Sequence, residues 1–228
     1  MPPLKTYSCC CAVSFSWRRM CSIIDITRFH YSSLLYTGTP VSIYPASQYG
    51  DIFAQLIKAA PATEVAAGEA NTGSYGALQE LSIESAFAGH AVSDHEAAAA
   101  CLSGIWLLHN YLDQSHVISQ DLHSCTGSFW HGIMHRREPD YGNSAYWFRK
   151  VSEHPVYEEL VIQLSQGNTD TIALGLICDG QWDPFAFIDL CAQASNPADE
   201  TTKLCQQITN VEWQLLFDYC YHLAITPI

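Results

Sequence analysis

Residues 124–151 read SCTGSFWHGIMHRREPDYGNSAYWFRKV, and this stretch decides the fold class. Thr126-Gly127-Ser128 has the composition of a turn. A short helix is expected from about Phe129 to Arg137, ended by Pro139, whose ring cannot continue in helical register. Asp140 can then cap a second helix over Tyr141–Val151. The segment also concentrates chemistry. It holds Arg136, Arg137, Arg149 and Lys150, four of the six basic residues after Arg28, and a His-x-x-x-His pair at His131 and His135.

Outward from this segment the pattern stays helical. Upstream, Ser93-Asp94-His95-Glu96 reads as a capping box opening the apolar run AAAACLSGIWLLHNYL (97–112), expected to be the central helix of the core. Helices are also expected over Tyr75–Ala88, stopped by Gly89, and over Gln48–Ala60, stopped by Pro61, with a small-residue linker at 62–73. Downstream, His154-Pro155 opens a helix to about Ser165. Ile172–Cys178 is ambiguous between strand and helix, and helix is preferred because no strand partner is apparent. Asp179-Gly180 is a turn, Trp182-Asp183-Pro184 starts a helix to about Ala194, and a last helix runs from Thr201 to about Ala224. The expectation is an all-α, bundle-like domain of about eight helices over residues 46–228. Residues 1–45, broken at Thr37-Gly38-Thr39-Pro40, show no sustained periodicity and are expected to form an irregular extension.

Bulk properties narrow the function classes. A chain of 228 residues, 48% hydrophobic and 14% charged, has the balance of a folded domain. A net charge of −13 repels a phosphate backbone, so nucleic acid is not an expected partner. No run approaches the roughly 20 apolar residues that cross a bilayer, so no membrane span is expected. The ten cysteines contain no C-x-x-C; Cys9, Cys10 and Cys11 are contiguous, and the other seven are scattered singly on apolar segments, as reduced thiols in a cytoplasmic protein would be. The first 24 residues are acid-free and serine-rich, which makes a mitochondrial transit segment the alternative to a cytoplasmic location.

The candidate site spans two segments. HNYLDQSH places His109, Asp113 and His116 at i, i+4 and i+7, and HGIMHRRE places His131, His135 and Glu138 at the same spacing. At about 100° per residue each trio falls on one stripe of a helix. An antiparallel hairpin would set Asp113 opposite His135, His109 opposite Glu138, and His116 opposite His131. Such imidazoles and carboxylates can hold a divalent metal such as Zn or Fe between helices. The same groups can work without metal. His131 or His135, paired to Glu138, would act as general acid or base while Arg136 or Arg149 holds a small anionic molecule. Cys125 beside the histidines is a further, weaker nucleophile candidate. Against both stands the structural alternative, a satisfied buried polar network in a helical scaffold or interaction protein. No HExxH occurs. On the last segment Glu212, Asp218 and His222 could add ligands, although Trp213, Leu216 and Phe217 mark that helix as mainly core.

The segment TGSFWHGIMHRREPDYGNSAYWFRKV, with WDPFAFIDLC at 182–191 and EWQLLFDYCY at 212–221, resembles uncharacterised helical proteins of fungi and bacteria. The resemblance covers roughly residues 95–224 and implies a helical fold without implying an activity. Taken together, the residues favour an enzyme acting on a small molecule, with the helical scaffold as the alternative.

Overall fold

A computed structural model describes residues 43–167, 175–194 and 196–225. The expected extension lies outside the described residues apart from 43–45, which are irregular. The protein is all-α. Its helices are α1 (Asp51–Ala59), α2 (Tyr75–Gln79), α3 (Ile83–Ala86), α4 (His95–Leu108), α5 (Leu112–Ser119), α6 (Cys125–Arg137), α7 (Tyr141–Val151), α8 (Pro155–Gly167), α9 (Pro184–Gln193) and α10 (Glu200–Ile225). Between α8 and α9, β1 (Ile177–Cys178) pairs antiparallel with β2 (Gln181–Trp182). The expected helix at Ile172–Cys178 is therefore corrected over its described part. Asp179 and Gly180, at φ 53° and 75°, form the tight turn that gives Ile177 a partner strand two residues later.

Side-chain oxygens start the main helices. Asp94 accepts from the Ala97 amide, Ser124 from Gly127, Asp140 from Asn143, and Asp183 from Phe185 and Ala186. Two expectations shift here. The cap of α4 is Asp94 rather than Ser93, because Ser93 turns its amide and hydroxyl to the Ala224 carbonyl at the end of α10. Glu96, free of a capping box, accepts instead from the Ser124 amide at 2.7 Å and so ties α4 to the start of α6. Thr126-Gly127-Ser128 is not a turn. It forms the first turn of α6, since Ser124 caps the chain four residues earlier than expected.

The centre of the core is α6 rather than α4: every residue from Thr126 to Arg137 is buried. A helix enclosed on all sides needs neighbours close by, and three glycines allow them in. A Cβ on Gly104 of α4 would stand 2.8 Å from the Trp130 ring, and one on Gly132 would stand 2.8 Å from the Phe148 ring of α7. One on Gly127 would meet the Leu122 carbonyl at 2.9 Å. Fully burying Phe129, Trp130, Ile133 and Met134 contributes roughly 1.5–3 kcal/mol each. On the opposite side, α10 supplies Trp213, stacked on Phe217 at 4.9 Å and donating its indole N–H to the Gly104 carbonyl at 2.8 Å. Phe217 and Tyr221 then meet Phe53 of α1 edge-on.

The expected continuous helix through His109 and Asp113 does not form. The α4 helix ends at Leu108, Asn110 takes the left-handed φ of 64°, and α5 restarts at Leu112 in a new direction. This break sets the site.

Candidate metal centre

Three imidazoles converge where α5 crosses α6. His131 and His135, one turn apart on α6, bring their Nε2 atoms to 3.0 Å. His116 of α5 lies against both, with ring centroids 4.6 Å from His131 and 5.4 Å from His135. One nitrogen from each of the three falls within 4.8 Å of the others. His131 and His135 are buried and His116 is half-buried, so the group opens to solvent on the α5 side.

The outer nitrogens of the two α6 histidines are held. Glu138 Oε2 lies 3.1 Å from His135 Nδ1, and a carboxylate only accepts, so Nδ1 carries the proton and Nε2 keeps its lone pair. His131 Nδ1 lies 3.2 Å from Ser119 Oγ, whose own proton is directed at the His116 carbonyl at 3.3 Å. In that arrangement His131 also donates through Nδ1, and two Nε2 lone pairs face each other. Electrostatics keep both rings neutral. Burial, with the nearby His135 and His116, pulls His131 down to about 3. Burial also lowers His135 from the ordinary histidine value, against the raising effect of Glu138.

Around this group Trp147 of α7 stacks on the His131 ring, with centroids 3.9 Å apart, and Lys150 Nζ lies over the Trp147 ring at 3.9 Å from its centroid. The α7 helix is thus a wall of the site. The sequence does not single out Trp147 or Ser119 for this site. The only available signals were Lys150 following Trp147 by three residues, which shares a helix face, and the closeness of Ser119 to His116.

Other expected site residues lie elsewhere. His109 is fully buried on the far side of the α4–α5 break. Its Nε2–H donates to the Leu56 carbonyl at 3.1 Å, its Nδ1 accepts from Asn71 at 2.9 Å, and burial lowers its pKa. Asp113 is exposed on α5 and is not among the converging groups. Of the three expected cross-helix rungs, His116 against His131 is the one made, because the break rotates the other two out of line. Arg136 is not placed to reach a solvent-borne ligand. It is buried under Phe187 at 4.4 Å and forms a two-pronged ion pair with the fully buried Glu212, one arm at 3.4 Å. Burial opposes its charge, yet the Glu212 carboxylate outweighs it and raises its pKa. Arg149 is exposed on another face of α7, its guanidinium 5.8 Å from the Phe185 ring. Cys125 is half-buried at the far end of α6 from His135.

Arg137 has a structural role. It donates to the Leu107 carbonyl at 2.8 Å, to Ala66 at 3.2 Å and to Ala67 at 3.0 Å, and also to the Asn110 side chain. The cation sits at the C-terminal end of α4, where the helix dipole favours it, and pins the 62–73 connection onto the break. Burial, opposed in part by the Glu64 carboxylate, pulls its pKa down to about 10.

Comparison of the chain with protein-family models, with curated proteins and with solved structures finds no match in any of the three. No described helix is long and apolar enough to cross a membrane.

Proposed function

We propose that the protein is a metal-dependent enzyme acting on a small molecule, with a divalent ion such as zinc or iron held by His116, His131 and His135. The observation carrying this reading is the convergence of three imidazole nitrogens within 4.8 Å, two of them oriented from behind by Glu138 and Ser119. Three neutral histidines with an open fourth position are the ligand set of catalytic rather than structural zinc sites. A carboxylate on the far nitrogen of a metal-binding histidine fixes its tautomer and raises its basicity, which is the role of Glu138. A tetrahedral ion with Zn–N distances near 2.0–2.1 Å spaces its ligands about 3.4 Å apart, so a modest rotation of the half-buried His116 ring completes the set. The ion would supply Lewis acidity toward a water or a substrate oxygen at the open position. The enclosing helix α6 and the Trp147 wall would limit water there. The free cysteines among the described residues suit a reducing, cytoplasmic setting.

A second reading rests on the same 3.0 Å distance. If the Ser119 hydroxyl turns to donate to His131 Nδ1, then His131 Nε2–H donates to His135 Nε2, and a satisfied chain runs from Ser119 to Glu138. Elemental analysis of the purified protein, with zinc affinity measured against a chromophoric chelator, separates the two. The metal reading expects one equivalent per chain, affinity lost in His131→Ala, and a tenfold to hundredfold weakening in Glu138→Gln. Absence of stoichiometric metal, or equal binding by wild type and His131→Ala, leaves the hydrogen-bonded chain as the explanation.

A further inference from the structure

Six cysteines lie among the described residues, and four of them meet in two pairs. The thiols of Cys191 on α9 and Cys205 on α10 are in hydrogen-bond contact, as are those of Cys101 on α4 and Cys220 on α10. All four side chains are buried, and the histidine centre uses none of them.

The two pairs differ in their neighbours. Cys191 follows Phe187 by one turn of α9, and Cys205 precedes Glu212 by two turns of α10. Each sulfur therefore shares a helix stripe with a residue that holds Arg136. The guanidinium lies 4.4 Å from the Phe187 ring and pairs with Glu212, which brings a fixed cation close to both sulfurs. Tyr141 also lies close, its hydroxyl donating to the Cys191 carbonyl at 3.3 Å. The contact from Cys205, helped by Arg136 and opposed by burial and Glu212, lowers the pKa of Cys191. The same contact, with burial, raises that of Cys205. Around Cys101, burial, Cys220 and Asp218 all act to raise the thiol.

The pairs differ in position as well. Cys191 lies in the last turn of α9 and Cys205 in the second turn of α10, flanking a connection whose residues 196–199 are exposed. Helix ends beside an exposed connection open locally at low cost, so a small solute can reach this pair without global unfolding. Cys101 sits midway along α4, where access requires a core helix to open.

We propose that Cys191 and Cys205 form an oxidisable dithiol, a modification site at which a hydroperoxide closes a disulfide between α9 and α10. The proposal does not depend on the metal reading. The thiolate is the attacking species, and an adjacent cation favours it, so Cys191 acts first. Its sulfur attacks one peroxide oxygen and breaks the O–O bond, leaving a sulfenic acid and, after protonation, water. The Cys205 sulfur then attacks the Cys191 sulfur, whose S–O bond breaks with loss of a second water. The thiols give up two protons and two electrons, and hydrogen peroxide is reduced to two waters.

The test treats the full chain, with a chelator present, with a small excess of hydrogen peroxide. Catalase stops the reaction, and iodoacetamide in denaturant labels every remaining thiol before peptide mass mapping. Cys191 and Cys205 are expected to lose labelling together and to appear as one linked peptide pair, two hydrogens lighter than its parts, that dithiothreitol separates. Cys101 and Cys220 should keep full labelling in the same sample. In Cys205→Ser, dimedone should capture a sulfenic acid at Cys191, with near-ultraviolet circular dichroism verifying that the variant is folded. The wild-type map decides the proposal by itself. Full labelling of Cys191 and Cys205 after peroxide, or linkage of Cys101 to Cys220 at an equal rate, overturns it. Dimedone capture at Cys205 in Cys191→Ser, with none at Cys191 in Cys205→Ser, overturns the order of attack.

Discussion

At the scale of single residues, the two adjacent arginines of α6 show how position on a helix fixes fate. Arg136 and Arg137 lie on a helix buried all round, so neither can reach water and each needs internal partners. Arg136 finds Glu212, 76 positions away, and no local spacing could have announced that pairing. Breaking a buried pair on one side strands the other charge. Glu212→Gln should therefore cost about 3–5 kcal/mol, read from urea unfolding, whereas replacing both residues together with Met and Leu should cost far less. A loss below 1 kcal/mol in the single variant would show that the pair is solvated. His131 and His135 were legible as a pair because i and i+4 share a helix face. His109 was misplaced because its neighbour Asn110 tolerates a left-handed conformation, and the chain turns there without the Gly or Pro that usually marks a break.

At the scale of elements, the site depends on how closely α7 approaches α6. Gly132 is the contact point: an added Cβ would lie 2.8 Å from two carbons of the Phe148 ring, and that ring is itself buried. Gly132→Ala should force the helices apart at a cost of about 1–3 kcal/mol. It should also disturb the Trp147–His131 stack one turn along. The variant is expected to melt lower and to bind zinc more weakly, both against wild type under the same conditions. An unchanged melting temperature would mean that Phe148 has room to move. Helix existence and most helix ends were readable, because Asp140, Asp183 and Pro139 act within a few residues of themselves. The crossing of α5 over α6, which creates the histidine cluster, was not readable, since it follows from the Asn110 break and the Arg137 clamp acting together.

For the whole molecule, acid sensitivity follows from histidines buried in neutral form. His154, at the start of α8, donates from Nε2 to Thr126 of α6 at 3.1 Å and accepts the Val156 amide at Nδ1. Burial pulls it down to about 4 from an ordinary 6.5. Above pH 6.5 neither the folded nor the unfolded state is protonated, and the group has no effect. Below it the unfolded chain gains a proton that the folded one refuses, so stability falls by about 1.4 kcal/mol per pH unit until the folded group also titrates near pH 4. The sum is about 3 kcal/mol for this one residue. In metal-free protein, unfolding free energies measured across that window should fall less steeply for His154→Gln than for wild type. Parallel slopes would show that His154 does not hold its neutral state in the fold.

The amino-acid sequence by itself determined the all-α class, the capped helices around Asp140 and Asp183, and the pairing of His131 with His135. All of these depend on groups a few residues apart, where helical geometry is the same in any fold. Tertiary structure alone decided that α6 is the enclosed helix, that His116 joins the two α6 histidines while His109 and Asp113 do not, and that Trp147 of α7 covers His131. Those outcomes depend on the direction the chain takes after Asn110 and on how closely glycine-faced helices pack. Both are set by contacts between residues far apart in the chain.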